Sequence, residues 1–255
     1  MKRSLLNRSI LAPGAVLLCI LGVWELGVWL WQLPLYILPA PTDIGRALLE
    51  EGGVLLRHAG VTLQETAIGL ILATLLAVLT AILMDRYLLF RTAIYPLLVV
   101  SQTIPVIVLA PIFMIYLGFG LAPKILVVVL MCFFPVVISF ADGMAQVDGG
   151  QVNLVRLFGA GEWRVYTLVK IPAAAPSLFS GLKVSATYSI TGAVVGEWLA
   201  SQSGLGYYML RAKNGFLLDR VFACVLVIAI LSLGMNGIVR LLEYLWLPPA
   251  NRGEP

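Results

Sequence analysis

The chain has 255 residues, of which 60% are hydrophobic and only 12% are charged, and its mean hydropathy is +0.98. A soluble domain carries about 25% charged and about 45–50% apolar residues, so this composition excludes an ordinary soluble fold. The formal net charge of +4 does not indicate nucleic-acid binding, because membrane proteins collect Lys and Arg in their cytoplasmic loops.

The apolar residues come in runs that are long enough to cross a bilayer, which takes about 20 residues of helix. We predict an all-α polytopic membrane protein, one transmembrane domain over residues 1–255, with about six transmembrane helices. The basic N-terminal flank and the even number of spans place both termini in the cytoplasm. The first apolar run has no A-x-A-like cleavage site, which indicates an uncleaved span. The predicted spans are approximately Leu11–Leu33, Val61–Met84, Ala93–Leu117, Ile125–Phe140, Ser177–Leu199 and Val221–Trp246.

The segment after the first span is predicted to be external. Its prolines forbid a continuous helix, but Thr42 or Asp43 can cap a short helix that Gly52-Gly53 would end. His58, the only histidine, lies in this segment and is predicted to be a surface residue. Glu25 lies inside the first span, where an ionised group must face protein or water.

Helix-breaking and small residues mark the third and fifth spans. Gln102 is followed by Pro105, and a proline inside a span kinks the helix and frees carbonyls that neighbouring helices or a cavity must satisfy. Gly192 and Gly196 form a pair of small residues that lets helices approach closely. Glu197 follows them near the predicted outer boundary.

The longest polar break runs from Asp148 to Pro172. Asp148 is a good N-cap, and Gly159-Ala160-Gly161 can form a left-handed turn between two short helices. The second helix is predicted over Glu162–Val169, with Trp163, Tyr166 and Val169 on one face and Pro172 as its end. From the residues alone, an amphipathic loop at the membrane interface explains the segment equally well.

Motifs for catalysis are absent from the sequence. No lysine is followed by Ser or Thr, so there is no G-x-x-x-x-G-K-[ST] loop for a nucleotide. The sequence has a single histidine and no G-x-S-x-G motif, so it contains no catalytic dyad of a usual kind. We therefore do not expect an enzyme or a metal site. A self-sufficient secondary carrier would need a buried coupling carboxylate, for which Glu25 is the candidate.

The spacing from Gly159 through nine residues to VKIP resembles the EAA motif, EAA-x3-G-x9-I-x-LP, of ABC-importer permeases. SQTIPVIVLAPIFMIYLGFG, PAAAPSLFSGLK and GEWLASQSGLGYYML resemble the sulfonate, taurine, nitrate and thiamine-pyrimidine branch. The resemblance extends from about Leu38 to the end. The acidic-Ala-Ala positions of the motif are Asn153, Leu154 and Val155 here, so the usual carboxylate is absent.

This resemblance implies that residues 148–172 form a cytoplasmic coupling segment, between spans four and five, that docks on an ATPase. The residues expected to serve this coupling are Asn153, Arg156, Gly159, Ala160, Glu162 and Pro172. The residues expected to line the translocation pathway are Gln102, Pro105, Gly192, Gly196 and Glu197.

The resemblance also implies the partners. These are two ATPase subunits that carry ATP and Mg, a periplasmic or lipid-anchored solute-binding protein, and a second permease copy in a homodimer. The chain itself would hold no cofactor and bind no nucleic acid, and it would lie in the bilayer of the bacterial inner membrane. The solute is expected to be a thiamine-precursor pyrimidine. The alternatives are an aliphatic sulfonate, taurine, nitrate or riboflavin for the same family, and a secondary transporter outside it.

Overall fold

A computed structural model describes residues 2–247, with side chains for residues 13–199 and 201–247. Every regular element in this part is helical, which confirms the predicted all-α class. The helices are α1 Lys2–Leu30, α2 Pro41–Glu50, α3 Gly52–Arg86, α4 Leu88–Ser101, α5 Val106–Leu117, α6 Leu121–Ala145, α7 Gly149–Leu157, α8 Glu162–Val165, α9 Ile171–Ala200, α10 Leu205–Asn214 and α11 Leu218–Trp246. A π-helical turn, Tyr166–Lys170, lies between α8 and α9.

Four of these helices are long and apolar enough to cross a membrane, namely Pro13–Leu30 of α1, α3, α6 and α11. The pair α4–α5 adds a fifth if it counts as one broken span. The predicted fifth span corresponds to α9, which contains Lys183 and Glu197 as well as many Ser, Thr and Gly residues. The predicted total of six is therefore not confirmed, and residues 251–255, predicted to be a cytoplasmic tail, lie outside the described part.

The chain divides into two compact units. The first comprises the described parts of Met1–His58 together with Tyr208–Val227. Within it, the rings of Trp24 and Phe222 lie 5.7 Å apart, and Arg220 pairs with Glu51 at 2.7 Å. These contacts hold the start of α11 to α1 and to the end of α2.

The second unit comprises Ala59–Tyr207 and the described part of Ile228–Pro255. Its core is built on small residues of α3: Ala73, Ala77 and Ala81 are all fully buried. Because these alanines are four residues apart, they lie on one face of the helix. That face lets α6 and α9 pack closely, and larger side chains such as Phe140 and Met84 fill the remaining space.

The predicted third span is two helices rather than one. α4 and α5 meet at an angle of 101°. Pro105, which has no N–H to donate, directly precedes α5, and Thr103 closes a turn by donating its N–H to the carbonyl of Val100 at 3.0 Å. The proline therefore breaks the span instead of merely kinking it.

Three other boundaries differ from the prediction. Gly52-Gly53 begins α3 instead of ending α2, so His58 lies in a helix and not in a loop. Pro172 does not end a helix, because it lies in the first turn of α9, where a missing N–H is tolerated. The π-helical turn carries the chain from α8 into α9 without a break.

Candidate functional site

The coupling segment contains the two short helices predicted for it. Asp148 caps α7 by accepting a hydrogen bond from the N–H of Gly150 at 2.9 Å. At the other end, the N–H of Gly159 donates to Arg156 at 2.9 Å and that of Ala160 donates to Val155 at 3.2 Å. This pair of bonds is a Schellman motif. Its left-handed residue is Gly159, with φ of +80°, so the predicted glycine turn is confirmed.

The segment has a small core of its own and an exposed apolar surface. Val152, Val165 and Val169 are buried against one another. The outer surface consists of large apolar side chains that are half to mostly exposed, and we call it the docking surface: Leu154, Leu157, Phe158 and Trp163. Trp163 is 74% exposed whereas Tyr166 and Val169 are buried, so the predicted shared face of these three residues is wrong. Large apolar side chains that are exposed on a polar segment can serve as an interaction site.

Glu162 lies at the centre of a surface charge cluster. Its carboxylate accepts from Arg86 at 2.6 Å and from Arg156 at 3.0 Å. All three side chains are close to half exposed, and exposed pairs contribute little stability, about 0–1 kcal/mol. The bridge nonetheless positions α8 against both α7 and the end of α3. Asn153, which occupies the acidic position of the motif, is exposed.

A second, more buried bridge anchors the π-helical turn. Asp85 Oδ2 accepts from the Tyr166 hydroxyl at 2.6 Å and from Lys170 Nζ at 2.5 Å. Lys170 Nζ also lies 5.1 Å from the centre of the Tyr166 ring. Burial, and then the hydrogen bond to Asp85, raise the pKa of the Tyr166 phenol, so it remains a protonated donor at neutral pH. Single π turns often occur at functional positions in helices.

A cavity of about 480 Å³ opens at the bend between α4 and α5. Its walls combine a few polar groups with aromatic and sulfur-containing side chains, among them Ser101, Gln102, Tyr188, Met131 and Phe134. Pro105 adjoins the bend but does not line this space. Mostly apolar cavities with few polar groups are typical of small-molecule sites.

Glu197 lies in a different place, a buried polar cluster at the far end of α9. Its carboxylate accepts from Thr62 Oγ1 at 2.6 Å and from the N–H of Gly206 at 2.5 Å. Thr62 Oγ1 in turn accepts from the N–H of Leu205 at 2.9 Å. Gly204 has φ of +106°. Because Gly204 and Gly206 lack a Cβ, there is room beside them for the Glu197 side chain. The loop of residues 201–204 and the start of α10 thus enclose one acidic side chain.

Two further charged residues complete this cluster. Lys124 forms an ion pair with Glu65 and donates to Ser201 Oγ at 3.2 Å. Both side chains are buried. They can be buried because the opposite charges satisfy each other. No local pattern marks Thr62, Glu65 and Lys124 as partners, because 59 residues separate Glu65 from Lys124.

Gly192 and Gly196 lie where α9 crosses α6. A Cβ at Gly192 would lie 3.2 Å from the Cα of Val128, and one at Gly196 would lie 3.1 Å from the Cα of Lys124. Close approach of the two backbones therefore explains both glycines, as expected for a small-residue pair.

Glu25 has a local partner that explains its position. Its carboxylate accepts from the N–H of Thr42 at 3.1 Å and from the Thr42 hydroxyl at 2.7 Å. Asp43 accepts from the N–H of Ala40 at 3.1 Å, so the residue at the N-cap position is Ala40, not the predicted Thr42 or Asp43. Glu25 thus stabilises the start of α2, as expected for an acidic group at a helix N-terminus.

Residues 68–245, about two thirds of the chain, match a family described as "Binding-protein-dependent transport system inner membrane component". The chain belongs to this family. Its members are the membrane-spanning permease components of ABC transporters, so this chain is the permease and the ATPase is a separate subunit. The matched range includes the whole coupling segment and the α4–α5 cavity.

Two named relatives are about one third identical to this permease over the residues that align. It is 36% identical over 182 residues to the formylaminopyrimidine transport permease protein ThiX of Halalkalibacterium halodurans, covering 71% of this chain and 73% of ThiX. It is 33% identical over 153 residues to the riboflavin transport system permease protein RibX of Chloroflexus aurantiacus, covering 60% of this chain and 57% of RibX.

The fold is also found among solved structures. A chain of the MetNI methionine ABC transporter aligns with a TM-score of 0.61 at 16% identity, covering 75% of this permease and 97% of that chain. At this identity the likeness concerns the fold alone. Over the aligned part, the helices of this permease follow the fold of that transporter chain.

Proposed function

We propose that this permease imports a small aromatic heterocycle, a pyrimidine precursor of thiamine, and that ATP hydrolysis on a partner subunit drives the import. The observation that carries the proposal is the anchoring of the coupling segment by Asp85. Through Lys170 and Tyr166, one carboxylate joins the end of α3 to the start of α9. A displacement of the segment therefore has to move both helices.

The docking surface is the contact for the ATPase. Phe158 and Trp163 flank the Gly159 turn, and both are mostly exposed, so they can enter a cleft in a partner protein. Closure of two ATPase subunits on ATP would draw two coupling segments together and shift the helices between two packings. In this arrangement the coupling segment lies in the cytoplasm, and Gly196 and Glu197 lie toward the outside, where a binding protein delivers the solute.

Two observations support the solute class, namely the name of the relative ThiX and the residues that line the α4–α5 cavity. ThiX is named as a formylaminopyrimidine permease. In this chain the α4–α5 cavity offers the Phe134 and Tyr188 rings for stacking and the Gln102 amide for hydrogen bonds to ring nitrogens. The riboflavin permease is also a relative, and aromatic stacking would suit that ring system too, so riboflavin is the competing solute to test.

The test is reconstitution of the permease with its ATPase and binding protein in vesicles. We expect uptake of labelled formylaminopyrimidine that requires ATP. An excess of riboflavin, taurine or nitrate should not inhibit this uptake. Uptake by the permease alone would show a secondary carrier and refute the proposal. ATP-driven uptake of riboflavin in place of the pyrimidine would leave the mechanism intact and overturn the solute.

Gln102→Leu tests the cavity separately. The substitution keeps the approximate side-chain volume and removes the amide, so we expect weaker solute-stimulated transport with an unchanged ATPase contact. Gln146→Leu is the matched control, because Gln146 is an exposed residue at the end of α6 that does not line the cavity. Equal transport by the two variants would show that Gln102 is not part of the translocation pathway.

A further inference from the structure

Arg240 is a cation in a largely apolar helix, and it has no ion-pair partner among the residues that the structure describes. It lies in α11, a candidate membrane span, and none of the ion pairs among the described residues includes it. The nearest acidic residue along the helix, Glu243, already pairs with Lys183 at 3.0 Å. A charged side chain in a span needs an anion or water, and none of the described residues forms an ion pair with Arg240.

The guanidinium is oriented by a chain of hydrogen bonds. Arg240 Nε donates to Asn236 Oδ1 at 3.1 Å. The Asn236 amide donates to the carbonyl of Lys183 on α9 at 3.1 Å and also lies 3.4 Å from Thr187 Oγ1. This bond uses Nε, and the two terminal nitrogens of Arg240 still carry N–H groups that can bind an anion.

A groove of about 310 Å³ lies beside this arrangement, between α9 and α11. Thr187, Ser232, Asn236 and Arg240 provide its polar groups, and Leu233 and Gly237 provide its apolar wall. Leu233 and Leu241 are both mostly exposed. The groove thus combines a cation and a hydroxyl donor with an apolar surface along the helix, which fits an amphipathic ligand.

The depth of Arg240 fits the headgroup region of a bilayer. Trp246 follows it by six residues, about 9 Å along the helix axis, and is 79% exposed. Trp residues are enriched at the membrane–water interface, and a long arginine side chain can extend to that level. The groove also lies beside Lys183, on the half of α9 that begins at the coupling segment.

We propose that this groove binds the phosphate of an anionic phospholipid in the leaflet on the side of the coupling segment, with Arg240 as its cation and Ser232 as a hydrogen-bond donor. The acyl chains then lie along Leu233 and Leu241. This site requires only that α11 spans the membrane. It does not depend on the identity of the transported solute.

The experiment measures lipid retained by the purified permease–ATPase complex in nanodiscs made from equal amounts of phosphatidylcholine and phosphatidylglycerol. We expect enrichment of phosphatidylglycerol by native mass spectrometry, reduced about fivefold in Arg240→Gln because one basic residue near an anionic surface contributes about that factor. Arg240→Lys should retain most of the enrichment. Asn236→Leu should reduce the phosphatidylglycerol enrichment. The double variant of Asn236→Leu and Arg240→Gln should lose no more enrichment than Arg240→Gln alone.

Arg57→Gln is the matched control, since Arg57 is an exposed arginine in α3 that does not line the groove. Equal loss in this control would show a general charge effect and refute the site. Unchanged enrichment in Arg240→Gln would refute it as well. Displacement of the lipid by inorganic phosphate alone would assign the groove to a free anion. Dissociation of the complex in Arg240→Gln would assign Arg240 to a subunit interface, and either result would overturn the lipid proposal.

Discussion

Lys170 Nζ lies 2.5 Å from Asp85 Oδ2 although 85 residues separate them in the chain. The bond joins the last residue of the π-helical turn to the end of α3, and the Tyr166 hydroxyl binds the same oxygen atom. A π turn is less regular than an α-helix and is a place where a helix bends. The anchoring point is thus located where the coupling segment would otherwise flex independently of the membrane helices.

Asp85→Asn should therefore uncouple the transporter. The substitution removes the charge that holds Lys170 and weakens the attachment by about 2 kcal/mol, so the coupling segment can move without α3. We expect ATP hydrolysis by the complex to continue while solute uptake falls severalfold, measured as ATP consumed per solute transported. Asp142→Asn is the matched control, because Asp142 is also near the end of a helix and forms none of the ion pairs found among the described residues.

The charge swap refines this test. Asp85→Lys combined with Lys170→Asp should restore part of the coupling, whereas either change alone should not. Tyr166→Phe removes one neutral hydrogen bond, worth about 1 kcal/mol, and should have a smaller effect than Asp85→Asn. Full coupling in the Asp85→Lys single variant would show that the bridge has no mechanical role.

Gly159→Val should impair coupling through the backbone and not through a clash. A Cβ at Gly159 would meet nothing within 4 Å, but its φ is +80°, a conformation that costs an ordinary L-residue about 1–2 kcal/mol. We expect the complex to lose ATP-coupled uptake while the membrane helices stay folded, as measured by uptake and by thermal unfolding of the permease. Gly159→Asn tests the cause, since Asn tolerates the left-handed region. Asn and Val variants with equal defects would instead point to direct contact of Gly159 with a partner.

Gly204→Ala should destabilise the loop that encloses Glu197. Gly204 has φ of +106°, and its Cβ would coincide with the Glu197 carboxyl group, so the substitution must displace a buried polar group from its hydrogen bonds. We expect a clear fall in the melting temperature of the purified permease. Gly60→Ala, in a helix and with open space around it, should leave the melting temperature unchanged or slightly higher. A Gly204→Ala protein as stable as the parent would show that the loop does not depend on this packing.

Glu25→Gln should preserve transport. The carboxylate caps α2 through Thr42, and loss of its charge should cost about 1 kcal/mol of stability, measured by thermal unfolding, with uptake near that of the parent. Thr42→Val removes the same hydroxyl partner and should not add fully to Glu25→Gln in the double variant. Abolished transport in an intact Glu25→Gln complex would revive the secondary-carrier hypothesis.

Local patterns predicted much of what the structure shows. The apolar runs indicated membrane helices, and the Asp148 cap and the Gly159 turn were recognisable because capping and left-handed turns depend on a few neighbouring residues. The bend at Pro105 was predicted only as a kink. Its 101° angle depends on what packs around the freed backbone, and that information is not local.

The sequence by itself determined that this is a helical membrane protein with a polar segment between its later helices, because hydropathy and turn chemistry are properties of contiguous residues. Only the tertiary structure decided which polar side chains meet. Asp85 with Lys170, Lys124 with Glu65 and Glu197 with Thr62 are pairs formed between distant helices. A charged residue in an apolar chain must find a partner, but the identity of that partner follows from how the helices pack.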